Sequence, residues 1–334
     1  MNKENGHPNY NNFDNSQNAK VKKIIAALAI GIVCFVNTDK SSGHLLWNSN
    51  NTEINVLTDK TNKIQEDNLW IVLPGLGVDS GYGMASVLNS SLSPTGDVAY
   101  ANYSDEGIDI ELLAKEITEI QSQYSYNSVS FYAHSMGGTI MLNILKELDN
   151  SVPVDNIILD CSPYSIYDAK NKVAPLAATI VPPTYEGGAI SKIIYESVNN
   201  AGPHKNDRLS TLQQLKDAAR IALTGSSPFL FVDQLGLLGS TSPDNMKELI
   251  PDSTNVYYIK PDNSNNDDTV NDDTAYNNWK NYLNNRITSV TVYGGGHANP
   301  TERPGEYAKA LHPFFVAPSI DPLERNGQTI SQNH

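Results

Sequence analysis

Short apolar segments with strand character alternate with segments of helical periodicity, and this alternation limits most strongly the folds open to the chain. The run at Asn68–Leu73 ends in Pro74-Gly75, which is typical of a buried strand entering a turn. Further strands are predicted at Glu53–Leu57, Asp97–Tyr100, Ser128–Ala133, Asn156–Leu159, Asn255–Ile259 and Thr288–Tyr293, and helices at Asp109–Ile120, Thr139–Leu148, Thr274–Leu283 and Glu302–Leu311. The pattern predicts an α/β fold, with a mostly parallel central sheet and helices on both faces.

The alternation is interrupted between residues 165 and 254, where Pro and Gly punctuate helical patterns and apolar segments. We predict a helical cap insertion here, lying over the strand ends and dividing a core of residues 52–164 and 255–317. The alternative is that this segment simply continues the main domain. Residues 318–334 are predicted to be a disordered tail.

The N-terminal region has the composition of a targeting segment. Residues 1–20 are polar and Asn-rich, which predicts a disordered tail, and 38–51 is predicted to be a linker. Between them, 21–37 joins lysines to the apolar run 24–36, which is shorter than the roughly 17–25 residues of a spanning helix. The pattern favours an export signal or membrane anchor, and thus a secreted or tethered extracytoplasmic protein. A buried N-terminal helix and a lipoprotein modified at Cys34 are the alternatives.

Charge and cysteine content exclude several classes of protein. The formal net charge is −14, from 23 basic and 37 acidic residues, which disfavours a nucleic-acid partner. Two cysteines, Cys34 and Cys161, exclude a disulfide framework and a Cys-rich zinc site. We predict neither a metal nor a cofactor.

The most informative motif is Ala133-His134-Ser135-Met136-Gly137-Gly138, which follows a predicted strand and opens a predicted helix. A serine on such a sharp turn projects its hydroxyl above the sheet, and the Met136 backbone N–H then points at a developing oxyanion. The motif resembles the G-x-S-x-G nucleophile elbow of the α/β-hydrolase family, with Ala133 in place of the first glycine. A serine N-cap is the plainer interpretation.

The resemblance extends to two further segments. Pro74-Gly75-Leu76-Gly77 follows the strand where the family places its second oxyanion donor, which by position is the Leu76 N–H. Gly294-Gly295-Gly296-His297 follows the last predicted strand, where the family carries its catalytic histidine, so His297 is the implied general base for Ser135.

The acidic partner of this histidine is less closely defined. Family members often carry D-x-x-V after the strand that corresponds to Asn255–Ile259, and aligning Val270 implies Asp267. Asp268, Asp262 and Asp160 are alternative acids. The same loop also resembles the start of an EF-hand at Asp262-x-Ser264-x-Asn266, without its glycine or closing glutamate, and most of its carboxylates suit a solvated turn.

The resemblance implies a serine hydrolase that cleaves a carboxylic ester, as an esterase or lipase does, through an acyl-enzyme. The predicted partner is a small or lipid-like acyl ester, and residues 24–36 are a candidate membrane tether. The alternatives are a thioesterase, an amidase or a cell-envelope acyltransferase on the same site, and a non-catalytic binding module of the same fold.

Overall fold

The computed structural model describes residues 51–57, 67–170, 226–241, 243–246 and 249–315. Their strands form a seven-stranded sheet in the order β1-β3-β2-β4-β5-β6-β7. The strands are β1 Glu53–Val56, β2 Asn68–Leu73, β3 Asp97–Asn102, β4 Ser128–His134, β5 Val154–Asp160, β6 Asn255–Pro261 and β7 Thr288–Val292. β1 pairs antiparallel with β3, and every other pair is parallel.

Helices cover both faces of this sheet. They are α1 Tyr82–Leu92, α2 Ile110–Tyr124, α3 Gly137–Glu147, α4 Pro228–Ser240, α5 Asp272–Tyr282 and α6 Pro304–Phe315, with 3₁₀ turns at Ile166–Asp168, Pro243–Met246 and Ser264–Asn266. Because side chains alternate along β2, Leu69 and Ile71 join the apolar cluster under α2 to α5, whereas Trp70 and Val72 join the cluster under α1 and α6. Both faces are therefore buried, as expected for a parallel sheet.

The predicted α/β architecture is confirmed in its sheet and in its two helical layers, with strand and helix ends displaced by a few residues. α1 was not predicted. Its sequence, YGMASVLNSSL, is rich in small and polar residues, so its apolar period is weak. The helix is stabilised instead by the burial of Met84, Leu88 and Leu92 against the sheet.

Other domain predictions fall wholly or partly outside the described residues. Residues 1–50 contain the predicted tail, the signal or anchor and most of the linker; 171–225 contain most of the predicted cap; and 316–334 contain the C-terminal tail. The described part of the cap region includes α4, whose Leu230 and Leu238 are buried in the main core cluster. Across the described ranges, no helix has the length and apolar character needed to cross a bilayer.

The parallel strands bring distant sequence motifs to one edge of the sheet. The loops after β2, β4, β6 and β7 carry Leu76, Ser135, Asp267 and His297 respectively. Since parallel strands present their carboxyl ends at the same edge, these four residues converge there.

Candidate active site

Ser135 occupies a strained turn between β4 and α3. Its φ is 52°, in the left-handed region that a side chain rarely adopts. Its backbone N–H donates to the Asp160 carbonyl at 2.8 Å, and its carbonyl accepts from the Gly138 N–H at 3.1 Å. Such strain persists only where the surrounding structure holds it, and it is common at functional sites.

The glycine after this turn is required by close packing. A Cβ added at Gly137 would lie 2.5 Å from the carbonyl oxygen of Leu73 at the end of β2. The start of α3 therefore approaches the neighbouring strand closely enough to admit only glycine. This contact gives a physical reason for a glycine two residues after the serine.

Three side chains form a continuous hydrogen-bond chain, here called the relay. The Ser135 Oγ lies 2.8 Å from His297 Nε2, and His297 Nδ1 lies 2.8 Å from Asp267 Oδ2. An ionised Asp267 accepts the Nδ1 proton, which leaves Nε2 free to accept the hydroxyl proton of Ser135. The structure thus brings together the serine, histidine and first-choice aspartate indicated by the sequence.

Two backbone N–H groups lie beside the turn that carries the Ser135 hydroxyl. Within the described ranges, neither the Leu76 N–H nor the Met136 N–H makes a hydrogen bond to another described residue. Leu76 follows β2 and Met136 immediately precedes α3, so both lie at the strand edge that carries the relay. Unpartnered donors at this position suit the binding of a negatively charged oxygen.

Solved structures resemble this architecture at low sequence identity. One is a lipase-esterase related protein from Clostridium acetobutylicum, with a TM-score of 0.51 and 14% identity over 79% of this chain and 99% of that one. Another comes from a study of carboxylesterases of the thaumarchaeon Nitrososphaera gargenis, with a TM-score of 0.50 and 12% identity over 79% of this chain and 93% of that one. The chain has the α/β-hydrolase fold. Neither the protein-family models nor the curated proteins gave a match.

Within this α/β-hydrolase fold, Asp267 is held as an ionised acceptor. Its side chain is fully buried, and its Oδ1 accepts from the backbone N–H groups of Thr269 at 2.7 Å and Val270 at 2.8 Å. Burial alone raises the pKa of this carboxyl, but the hydrogen bond and charge of His297, with the two N–H donors, lower it below its usual value. Both oxygens are therefore committed, one to the backbone and one to the imidazole.

The three alternative acids do not hold this position. Asp268 is exposed, and the exposed Asp262 accepts from the Gly294 N–H at 2.9 Å. Asp160 is fully buried, where it accepts from the hydroxyls of Tyr132 at 2.5 Å and Tyr307 at 3.0 Å. Burial raises the pKa of Asp160 to about 6, although the two hydroxyls oppose that shift.

The EF-hand-like positions also have protein partners. Besides the contact of Asp262 with the Gly294 N–H, the Ser264 hydroxyl donates to Asp273 Oδ2 at 2.6 Å. These contacts connect the loop after β6 to the loop after β7 and to α5. Two of the three candidate calcium ligands, Asp262 and Ser264, therefore already bind protein groups.

The loop that carries the imidazole is anchored just after it. The Ala298 carbonyl lies 2.6 Å from His134 Nε2, so that nitrogen carries the proton that is donated to the carbonyl. The next residue, Asn299, donates its N–H to the Tyr307 hydroxyl at 3.1 Å, and Tyr307 in turn donates to Asp160. Asp160, an alternative acid from sequence, thus supports the histidine loop through a tyrosine.

One group of side chains in the described ranges has the spacing of metal ligands. The ligand atoms of Cys161, Asp267 and His297 lie within 4.8 Å of one another. Two of the three are already joined through a proton at 2.8 Å, and burial raises the pKa of the Cys161 thiol well above its usual value. The donor set therefore suits a hydrogen-bonded relay better than a cation.

Sequence reasoning missed two residues beside the site. Asp272, the first residue of α5, is fully buried and accepts from the Tyr258 hydroxyl at 3.3 Å. Burial, followed by the nearby charge of Asp267, raises its pKa to about 8, so this carboxyl is neutral at pH 7. The second is Gln234 of α4, which lies far from the motifs along the chain. Neither residue belongs to a motif, so no sequence signal marked them.

Asp272→Asn is expected to flatten the dependence of stability on pH. Unfolded, this carboxyl ionises near its ordinary value of 3.8, whereas the native one stays protonated up to about pH 8. Unfolding between these values releases a proton, so the free energy of unfolding falls as pH rises, by about 1 kcal/mol per pH unit. Asparagine removes that contribution, and urea unfolding at pH 5, 6 and 7 measures the slope.

Asp273→Asn is the matched control for this experiment. Asp273 is exposed and pairs with Lys260 at 2.7 Å, and the hydrogen bonds from Lys260 and Ser264 lower its pKa. This variant is expected to keep the slope that Asp272 produces. Equal slopes for wild type and Asp272→Asn would show that the buried carboxyl is ionised in the native state.

Proposed function

We propose that this protein is a serine hydrolase that cleaves a carboxylic ester through an acyl-enzyme. The observation that carries the proposal is the unbroken hydrogen-bond chain from the Ser135 hydroxyl through His297 to Asp267, with both links at 2.8 Å. A nucleophile, a base within hydrogen-bond reach and a group that orients the base are the three parts that covalent acyl transfer requires.

In the first step, the Ser135 Oγ attacks the ester carbonyl carbon while His297 Nε2 takes the hydroxyl proton. The new C–O bond turns the carbonyl oxygen into an oxyanion, which the N–H groups of Leu76 and Met136 stabilise by hydrogen bonds. Asp267 remains ionised, and it stabilises the imidazolium that forms beside it.

The intermediate then collapses and the bond to the leaving alcohol breaks. His297 donates its Nε2 proton to the departing oxygen, which leaves an acyl group on Ser135. A water molecule then gives a proton to His297 and its oxygen to the acyl carbon. The bond from that carbon to the Ser135 Oγ breaks, and His297 returns the proton to Oγ. The carboxylic acid and the free serine are the products.

An ester is the substrate class that we propose, and the names of two structural neighbours agree with it. One is named a lipase-esterase related protein, and the other belongs to a set named as carboxylesterases. Their fold alone hosts many reactions, so the proposal depends on the relay and the N–H groups of Leu76 and Met136 rather than on the likeness.

The proposal is tested on the full chain with a fluorophosphonate probe and p-nitrophenyl esters of increasing chain length. We expect the probe to phosphonylate the protein, mass spectrometry to place the adduct on Ser135, and the esters to be hydrolysed. Heat-denatured protein serves as the control, because labelling requires the assembled relay. Absence of both labelling and hydrolysis would support the non-catalytic binding module.

Matched thioester and anilide substrates, and added alcohol as an acceptor, complete the same experiment. Faster turnover of a thioester or anilide than of the ester would replace the proposed class. Faster acyl transfer to alcohol than to water would favour an acyltransferase.

A further inference from the structure

Gln234 of α4 reaches from the predicted cap region into the loop after β2. Its side chain is fully buried. The Oε1 atom accepts from the Gly77 N–H at 2.8 Å, and the Nε2 atom donates to the carbonyls of Gly75 and Val78, each at 3.3 Å. One amide therefore bonds the loop's backbone at three points.

These contacts surround Leu76, whose N–H is the proposed oxyanion donor. Gly75 and Gly77 precede and follow it, and Gly77 has a φ of 76°, a conformation open to glycine but costly for other residues. The loop's own backbone makes one weak turn bond, from the Val78 N–H to the Gly75 carbonyl at 3.3 Å.

Tyr103 holds the two ends of the loop, since its hydroxyl donates to the Pro74 carbonyl at 3.2 Å and its N–H donates to the Asp79 carbonyl at 2.7 Å. Between these ends, on both sides of Leu76, the side-chain contacts come from Gln234.

We propose that Gln234 is a positioning residue for the oxyanion hole, which keeps the Leu76 N–H directed at the developing negative charge. The inference rests on the proposed function for its catalytic consequence, but the restraint on the loop is independent of it. It also makes the formation of the oxyanion hole depend on the docking of α4, the helix that follows residues 171–225.

The docking of α4 itself does not depend on Gln234. The neighbouring Asp233 accepts from the Ile108 N–H at 2.7 Å, and the Ser227 hydroxyl donates to the Asp105 carbonyl. Buried Leu230 and Leu238 add apolar contacts with the core. Changing Gln234 should therefore release the loop while the helix stays in place.

Gln234→Met and Gln234→Glu test the proposal, with Asp233→Ala as the matched control. Methionine removes all three hydrogen bonds at similar volume. Glutamate keeps an acceptor for Gly77 but places an oxygen against the carbonyls of Gly75 and Val78. Asp233→Ala instead removes a neighbouring anchor of the same helix, away from the oxyanion loop.

We expect both glutamine variants to lower kcat about 10- to 100-fold on a p-nitrophenyl ester, with KM changed less than about threefold. The loss is smaller than the roughly 10²–10³-fold cost of deleting a donor, because the N–H is misdirected rather than removed. If Gln234 served stability alone, its substitution would lower Tm without lowering kcat selectively while KM stays nearly constant. Asp233→Ala should lower Tm at least as much and leave kcat near the wild-type value.

Hydrogen exchange on the same proteins gives a readout that needs no activity. A peptide spanning residues 74–78 should exchange faster in Gln234→Met than in wild type or Asp233→Ala, since its backbone partners are lost. Unchanged exchange in this peptide overturns the proposal, whatever the enzyme assay shows. Faster exchange with an inactive wild type supports the restraint of the loop by Gln234 and overturns the proposed function.

A third outcome would distinguish the role of Gln234 from the proposed function itself. If wild type hydrolyses esters and both glutamine variants match Asp233→Ala in kcat, the proposed function stands and the role of Gln234 in the oxyanion hole is refuted.

Discussion

Ser135→Ala is expected to lower kcat for ester hydrolysis by about 10⁶-fold, the scale seen when the nucleophile of such a relay is deleted. The hydroxyl at 2.8 Å from His297 Nε2 is the atom that forms the acyl bond, and alanine offers no replacement. KM should change little, because the side chain removed forms its bond to substrate only during the reaction. Steady-state kinetics measure the loss of kcat, and a fluorophosphonate probe measures the accompanying loss of labelling.

Ser162→Ala provides the control for that experiment. Ser162 is a buried serine beside the same turn, but its hydroxyl donates to the Ala133 carbonyl at 2.9 Å rather than to an imidazole. This variant should keep labelling and turnover close to wild type. Activity of Ser135→Ala above about one per cent of wild type would mean that another residue is the nucleophile.

Asp267→Asn is expected to lower kcat by about 10⁴-fold, as when the aspartate of a serine protease triad is replaced. The N–H groups of Thr269 and Val270 both point at Oδ1, so the oxygen of an asparagine would remain there. Its NH₂ group would then face His297 Nδ1. The imidazole would have to carry its proton on Nε2, where it could no longer accept the serine proton.

Asp268→Asn and Asp262→Asn serve as controls for the aspartate prediction. Both residues are exposed and lie in the same loop after β6, and neither contacts the imidazole. We expect activity within a few-fold of wild type for each. A loss confined to Asp268→Asn would mean that the loop pairs with His297 one residue later than in this structure.

Much of the fold could be predicted because its signals are local. The apolar run Asn68–Leu73 indicates a buried strand, and the residues around Ser135 indicate a sharp strand-to-helix turn. Each signal lies within a few adjacent residues. α1 lacks such a signal because its small and polar residues give a weak apolar period, and its burial depends partly on α6, which is distant in sequence. The strand order, with β3 between β1 and β2 and with β4 on the other side of β2, likewise depends on contacts between segments that are separated along the chain.

For the site, the sequence by itself indicated a serine, a histidine and an aspartate as the relay residues. The serine and histidine could be found because each lies in a short motif, the strand-to-helix turn at Ser135 and the glycines before His297. The sequence left four carboxylates open as the acid. Only the tertiary structure decided among them, since a 2.8 Å contact between Asp267 and the imidazole depends on how the loops after β6 and β7 pack together.

The hydrogen bonds of Gln234 also depend on tertiary structure, because Gly75, Gly77 and Val78 are distant from it in sequence. Asp272 is buried beside Tyr258 of β6 by the packing of α5, which no motif indicated.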